Sequence, residues 1–116
     1  MSTKSVGESL VAISKTGNFR EAIDTLYADN IVSIEAQGES REVQGIESVH
    51  GKMDWFATTF EVHSVDVQGP WVNEPQFVVR FTLDVTDKAS GNRFPMDEFA
   101  VYTVSEGKIV HERFFV

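Results

Sequence analysis

The sequence predicts an α+β domain in which three N-terminal helices pack on one face of a curved, mainly antiparallel sheet. Three observations support this fold class. Apolar residues recur with helical spacing as far as residue 60, four long strand-like segments follow, and short turn-forming sequences separate those segments. A length of 116 residues with 41% hydrophobic residues suits one core, so residues 1–116 are predicted to form a single domain.

Helical periodicity divides the first part of the chain into two helices. Val6, Leu10 and Ile13 lie at i, i+4 and i+7, and Gly17 is placed to end this first helix. Asn18 is a candidate cap for the second helix. The apolar face of that helix comprises Phe19, Ala22, Ile23, Leu26 and Tyr27.

The period then changes to that of strands, with one more helix. Residues 31–36 are predicted to form a strand, and Gly38-Glu39-Ser40 a turn. A third helix follows Gly45, and its apolar stripe comprises Ile46, Val49, Met53, Phe56 and Phe60. Four strands are predicted over 61–72, 76–86, 93–104 and 108–116. Such a sheet wrapped around helices forms a cone whose open end admits a small molecule.

Charge and motif content exclude several classes of function. Ten basic and eighteen acidic residues give a net charge of -8, so neither nucleic acid nor an anionic membrane is an expected partner. The three histidines lack the spacing of a zinc site, there is no cysteine, and no phosphate-binding or dinucleotide-binding glycine motif occurs. We therefore expect no metal and no cofactor. Without a signal-peptide segment the protein is expected in the cytoplasm.

One stretch of sequence resembles a known superfamily. Residues 17–30, GNFREAIDTLYADN, resemble the second-helix signature of the nuclear transport factor 2-like superfamily, and within it the SnoaL-like, polyketide cyclase and ketosteroid isomerase branches. Later anchors are residues 73–74, 95–99 and 107–110, so the resemblance spans nearly the whole chain. It implies one SnoaL-like domain with a cone-shaped cavity, and a homodimer formed through the outer face of the sheet.

The same resemblance implies two catalytic carboxyl groups, Glu35 and Asp97. It places Glu35 at the position of the catalytic base in ketosteroid isomerases, and Asp97 at the position of a protonated acid that donates to the oxyanion. Leu10 stands where those enzymes carry an oxyanion-binding tyrosine. The alternatives are a solvated strand-end carboxylate for Glu35, and an ion pair with Arg80 or Arg113 for Asp97.

Further residues are expected to line the pocket. Glu112 shares a strand face with Phe114 and adds a third carboxylate, so repulsion between like charges would raise one of the three pKa values; a rim or interface position is its alternative. Tyr27 or His63 would supply a second hydrogen-bond donor to the oxyanion. The alternative for Tyr27 is a core aromatic residue, and the alternative for His63 is a surface histidine or a hydrogen-bonded core histidine. Trp55 walls the pocket or belongs to the core or an interface. The expected pocket set is Tyr27, Trp55, His63, Val79, Phe81, Phe99 and Glu112.

Together these observations predict a SnoaL-like protein that binds a small apolar molecule. As an isomerase or cyclase it would use Glu35 to take a proton next to a carbonyl while Asp97 donates to the enolate oxygen. The alternative is a non-catalytic ligand-binding or dimerisation module of the same fold.

Overall fold

The computed structural model describes residues 1–38 and 41–116, so Glu39 and Ser40 of the predicted turn lie outside the described residues. Three helices and six strands occur in the described residues. In chain order they are α1 (Thr3–Lys15), α2 (Phe19–Leu26), β1 (Tyr27–Ile34), β2 (Glu42–Gln44), α3 (Ile46–Thr59), β3 (Phe60–Asn73), β4 (Gln76–Asp87), β5 (Arg93–Ser105) and β6 (Lys108–Phe115).

The six strands form one sheet in the order β2-β1-β6-β5-β4-β3. β1 and β6 run parallel, and the other neighbouring pairs are antiparallel. The helices cover one face of this sheet, which confirms the predicted α+β class. No described helix is long and apolar enough to cross a membrane.

Local sequence signals explain where the first two helices begin and end. The Ser2 side chain accepts a hydrogen bond from the Ser5 amide, and Asn18 does the same for Glu21, each at 3.1 Å. These bonds satisfy amide groups that lack a partner in the first helical turn. Gly17 separates the two helices with a φ of +82°, a conformation that favours glycine.

Two features of the first strand region differ from the prediction. β1 begins at Tyr27 instead of residue 31, because Tyr27 pairs with Ile109 on the distant strand β6. Because Tyr27 also continues the apolar face of α2, helical periodicity does not show where the strand begins. β2 is absent from the prediction, since three residues are too few to show an alternating pattern.

Side-chain alternation gives the sheet an inner and an outer face. Val79, Phe81 and Leu83 on β4 are buried under the helices, and Ala100 and Tyr102 on β5 are buried beside them. α1 approaches the sheet closely, since a Cβ added at Gly7 would lie 3.0 Å from Pro70 Cβ. The absence of a side chain at Gly7 therefore lets α1 lie close to β3.

Two irregularities change which side chains face inward. The register between β3 and β4 shifts between Val62 and Ser64, so His63 is the extra residue of a bulge. On β6, Ile109 and His111 pair with adjacent residues of β5, which leaves Val110 as another extra residue. As a result both Ile109 and Glu112 are buried, although a regular strand would send them to opposite faces.

Candidate functional site

A cavity of about 430 Å³ lies between the helices and the inner face of the sheet. Its walls are largely apolar, with aromatic rings from α2, α3, β4 and β6 among them. Several polar side chains converge on this space, and its volume falls within the range of small-molecule sites. The polar groups are Ser14, Tyr27, Glu35, Gln37, Lys52, Glu98, Tyr102 and Glu112.

Glu112 lies at the centre of a buried hydrogen-bond network. Its side chain is only 3% exposed, and the Tyr27 hydroxyl donates to Oε2. Ser33 Oγ donates to Oε1 at 2.7 Å. Burial raises the pKa of Glu112, whereas the two hydroxyl donors act in the opposite direction. Both carboxylate oxygens are thus occupied by partners from β1.

Lys52 connects α3 to this network. Its Nζ donates to Ser33 Oγ at 2.7 Å and lies 2.5 Å from Glu35 Oε1. The same ammonium group lies 5.5 Å from the centre of the Phe114 ring, within cation–π range. Glu35 follows the end of β1 on the face of Ser33, so the structure places it at the cavity, held by Lys52.

Glu98 supplies a third carboxyl group to the cavity, from the middle of β5. Burial raises its pKa to about 7, and the negative charges of Glu35 and Glu112 add to this effect. The positive charge of Lys52 lowers the pKa of Glu98. At neutral pH this carboxyl group is therefore close to half protonated, so it can either give or take a proton.

Two tyrosine hydroxyls also belong to the polar part of the cavity. Burial raises the pKa of both Tyr27 and Tyr102 well above the ordinary value of 10, and the charge of Glu112 raises both further. Both phenols are therefore protonated donors at neutral pH. The Tyr102 ring stacks on Phe77, with centroids 4.9 Å apart, which fixes the direction of its hydroxyl.

The expectation that Asp97 faces this cavity is wrong. Alternation along β5 places Ala100 and Tyr102 inside, so Glu98 points inward and Asp97 outward. Asp97 forms a bidentate ion pair with Arg80 at 2.7 and 3.0 Å, and its side chain is 49% exposed. The hydrogen bonds from Arg80 lower the pKa of Asp97. The alternative, an ion pair with Arg80, is what the structure shows.

Three other expected pocket residues also lie elsewhere. Phe99 shares the outer face with Arg80 and is 44% exposed. The bulge in β3 turns His63 outward, where Nε2 is 2.7 Å from Thr86 Oγ1 beside a surface groove. Val79 does face inward, but it is fully enclosed in the core and does not line the cavity.

The remaining expected residues do line the cavity, together with others that were not predicted from the sequence. Tyr27, Trp55, Phe81 and Glu112 are found there with Glu35. The missed polar residues are Ser14, Gln37, Lys52, Glu98 and Tyr102. The sequence did contain a signal for two of them. Glu98 lies on the same strand face as Ala100, Tyr102 and Val104, and Lys52 lies three residues after Val49, on the same face of the third helix.

Comparison with known proteins gives a consistent picture. A family model described as a SnoaL-like domain matches residues 1–116. The crystal structure of a candidate SnoaL-like polyketide cyclase from Mesorhizobium loti is 39% identical, with a TM-score of 0.95 and full coverage of both chains. No match was found among the curated proteins.

More distant structures share the fold. A candidate SnoaL-like polyketide cyclase from Jannaschia sp. CCS1 is 17% identical over 97% of this chain and 83% of its own, with a TM-score of 0.80. A Catenulispora acidiphila protein with a ketosteroid isomerase-like fold, solved in complex with trimethylamine, is 17% identical over 93% and 82%, with a TM-score of 0.75. At these identities the likeness concerns the backbone alone.

Proposed function

The chain belongs to the SnoaL-like domain family, and from this premise we propose that it is an isomerase or cyclase that moves a proton next to a carbonyl group of an apolar ligand. One observation carries the proposal: Glu35 and Glu98 line the same largely apolar cavity. The cavity offers a proton acceptor and a proton donor without a cofactor. The Mesorhizobium loti relative, at 39% identity, is described as a candidate polyketide cyclase, which agrees with this class of chemistry.

Glu35 is the proposed base. As a carboxylate it takes a proton from the carbon next to the ligand carbonyl, and the electron pair of that C–H bond moves onto the carbonyl oxygen. Lys52 orients Glu35 through the 2.5 Å contact. Returning the proton to another carbon gives an isomer, and attack of the enolate carbon on a second carbonyl closes a ring.

Glu98 is the proposed acid, in the role that the sequence resemblance gave to Asp97. Its protonated form donates to the developing enolate oxygen, and a pKa of about 7 keeps this form populated at neutral pH. The Tyr102 hydroxyl is the proposed second donor in place of His63, which faces away from the cavity. Each such donor typically contributes about 3 kcal/mol to stabilisation of the oxyanion.

Turnover of a panel of enolisable cyclic ketones, followed as a function of pH, tests this proposal. Glu35→Gln is expected to lower kcat by roughly 10²–10⁴-fold. Glu98→Leu is expected to lower kcat by roughly 10²-fold, because leucine, unlike glutamine, cannot donate a hydrogen bond to the enolate oxygen. Ligand binding should persist in both variants. Asp97→Asn is the matched control, because it changes the adjacent carboxyl on the outer face. Equal loss in Glu98→Leu and Asp97→Asn would contradict the assignment of Glu98.

A second candidate function is binding of an apolar ligand without chemistry. The contact between Lys52 and Glu35 favours it, because the carboxylate oxygen that faces Lys52 is already occupied by a protein partner. Wild-type protein that binds the ketones but does not exchange their α-hydrogens for deuterium would establish this alternative.

We further propose that two copies of the chain pair through the outer face of the sheet. Trp71, Phe99 and Phe115 are large exposed apolar residues on β3, β5 and β6 of this face. An exposed apolar patch of this kind is typical of protein interfaces. Sedimentation velocity should show a dimer for the wild type and a monomer for Phe99→Glu. A wild-type monomer at micromolar concentration would contradict the dimer.

A further inference from the structure

Ser14 is a polar residue of the cavity with no role in the proposed chemistry. It lies near the end of α1, is 1% exposed and contributes to the cavity wall. Its Oγ is the one buried side-chain nitrogen or oxygen without a hydrogen-bond partner among residues 1–38 and 41–116. A buried hydroxyl left without a partner destabilises the folded state, so its presence calls for a physical reason.

The local helix offers Ser14 a partner that it does not use. A serine inside a helix commonly donates to the carbonyl four residues earlier, which here belongs to Leu10. The nearby Thr16 makes a related bond, with Oγ1 donating to the Ile13 carbonyl at 2.6 Å. The Ser14 hydroxyl makes no such bond, and Ser14 is one of the residues that line the cavity.

The surroundings of Ser14 favour a ligand atom over bound water. The other cavity residues on α1 and α2 are apolar: Leu10, Phe19, Ala22 and Ile23. Ser14 is therefore the sole polar side chain that these two helices place on the cavity, within the described part of the chain. A tightly held water needs two to four polar partners, and this wall supplies one.

The Ser14 hydroxyl is also separate from the carboxyl network. Glu112 is occupied by Tyr27 and Ser33, and none of these groups is within hydrogen-bond reach of Ser14 Oγ. A ligand oxygen that meets Ser14 is consequently a different atom from the carbonyl oxygen near Glu98.

We propose that Ser14 binds a second oxygen function of the ligand. The ligand is then a mainly apolar molecule with two separated oxygen groups: a carbonyl at the carboxyl cluster, and a hydroxyl or carbonyl at α1. A serine hydroxyl both donates and accepts, so it matches either group. The carbonyl group at the carboxyl cluster is inferred from the proposed function, whereas the oxygen group at Ser14 is inferred from the cavity alone.

Calorimetric binding of 1-tetralone and its hydroxylated positional isomers tests the assignment. In the wild type, at least one hydroxylated isomer should bind about 2- to 12-fold more tightly than 1-tetralone, the range expected for one net hydrogen bond. Ser14→Ala should remove this preference and leave the affinity for 1-tetralone unchanged. Ser64→Ala, an exposed serine on β3 outside the cavity, is the matched control and should retain the preference.

Thermal unfolding of the ligand-free protein supplies an independent test. Ser14→Ala should raise Tm by a few degrees, because it removes a buried hydroxyl that has no partner. A lower Tm would show that the hydroxyl has a structural partner, and would overturn the proposal. So would a preference that survives in Ser14→Ala, or wild-type protein that prefers no hydroxylated isomer or binds none of the panel at millimolar concentration.

These measurements do not require turnover, which separates the two proposals. If the Ser14-dependent preference is present but no ketone is turned over, only the catalytic proposal fails. If turnover depends on Glu35 while Ser14→Ala retains the preference, only the Ser14 inference fails.

Discussion

Replacement of Glu98 by glutamine should make the protein more stable at alkaline pH. The carboxyl pKa rises from an ordinary 4.5 to about 7 on folding, so the folded state holds this proton more tightly than the unfolded chain. The stabilisation from Glu98 is therefore fully present below about pH 4.5 and is lost as the pH rises through about 7. The difference in pKa corresponds to about 3 kcal/mol, which is an upper value for a half-buried group.

Glutamine is close in shape to protonated glutamic acid and carries no charge to desolvate. Glu98→Gln should thus match the wild type in free energy of unfolding near pH 4 and exceed it by about 2–3 kcal/mol above pH 8. Urea unfolding between about pH 4 and about pH 9 measures this difference directly. The difference between the two curves is the relevant quantity, because Glu112 contributes its own pH dependence to both.

Asp97→Asn provides the control and should behave oppositely. Arg80 lowers the pKa of Asp97, so its stabilisation is present above the ordinary aspartate pKa and is lost in acid. The asparagine variant should gain no stability above pH 7. Parallel unfolding curves for the wild type and Glu98→Gln would refute the placement of Glu98 in a low-dielectric cavity beside other carboxylates.

Three further changes have outcomes that follow from the geometry. Lys52→Met removes the cation that lowers the pKa of Glu98, so the alkaline limb of the pH–rate profile should shift to higher pH. An unchanged profile would show that Glu98 is not the group whose titration limits the rate. Tyr102→Phe keeps the stacked ring but loses a donor, and should lower kcat roughly 100-fold with little change in Tm. Gly7→Ala places a methyl group 3.0 Å from Pro70 Cβ and should lower the free energy of unfolding by roughly 1–3 kcal/mol, measured in urea.

Local sequence patterns were sufficient for most of the fold. The predicted cap at Asn18 acts within three residues of the chain, and the hairpin strands are bounded by turn-forming sequences that are visible directly. Tyr27 was assigned to a helical face because its strand partner, Ile109, is distant in the sequence. Pairing over such a distance leaves no trace in local periodicity.

The candidate site was harder to predict because the face of a strand depends on single-residue register. The family resemblance identified the correct segment of β5, but Asp97 and its neighbour Glu98 face opposite sides of the sheet. The alternation of apolar residues along β5 predicts the inward residue more reliably, because Glu98 lies on the same strand face as Ala100 and Tyr102. A bulge cannot be recognised from sequence alone, and one at His63 moved that residue out of the predicted pocket.

The parallel pairing of β1 with β6 has a consequence for the order of folding. Glu112 meets Tyr27 and Ser33 across sequence separations of 85 and 79 residues. Contacts this distant carry a large loop-closure entropy, so they are expected to form late, after the hairpins of β3, β4 and β5. The cavity is therefore completed only when β6 docks, and a ligand that binds the completed cavity should slow the undocking of that strand.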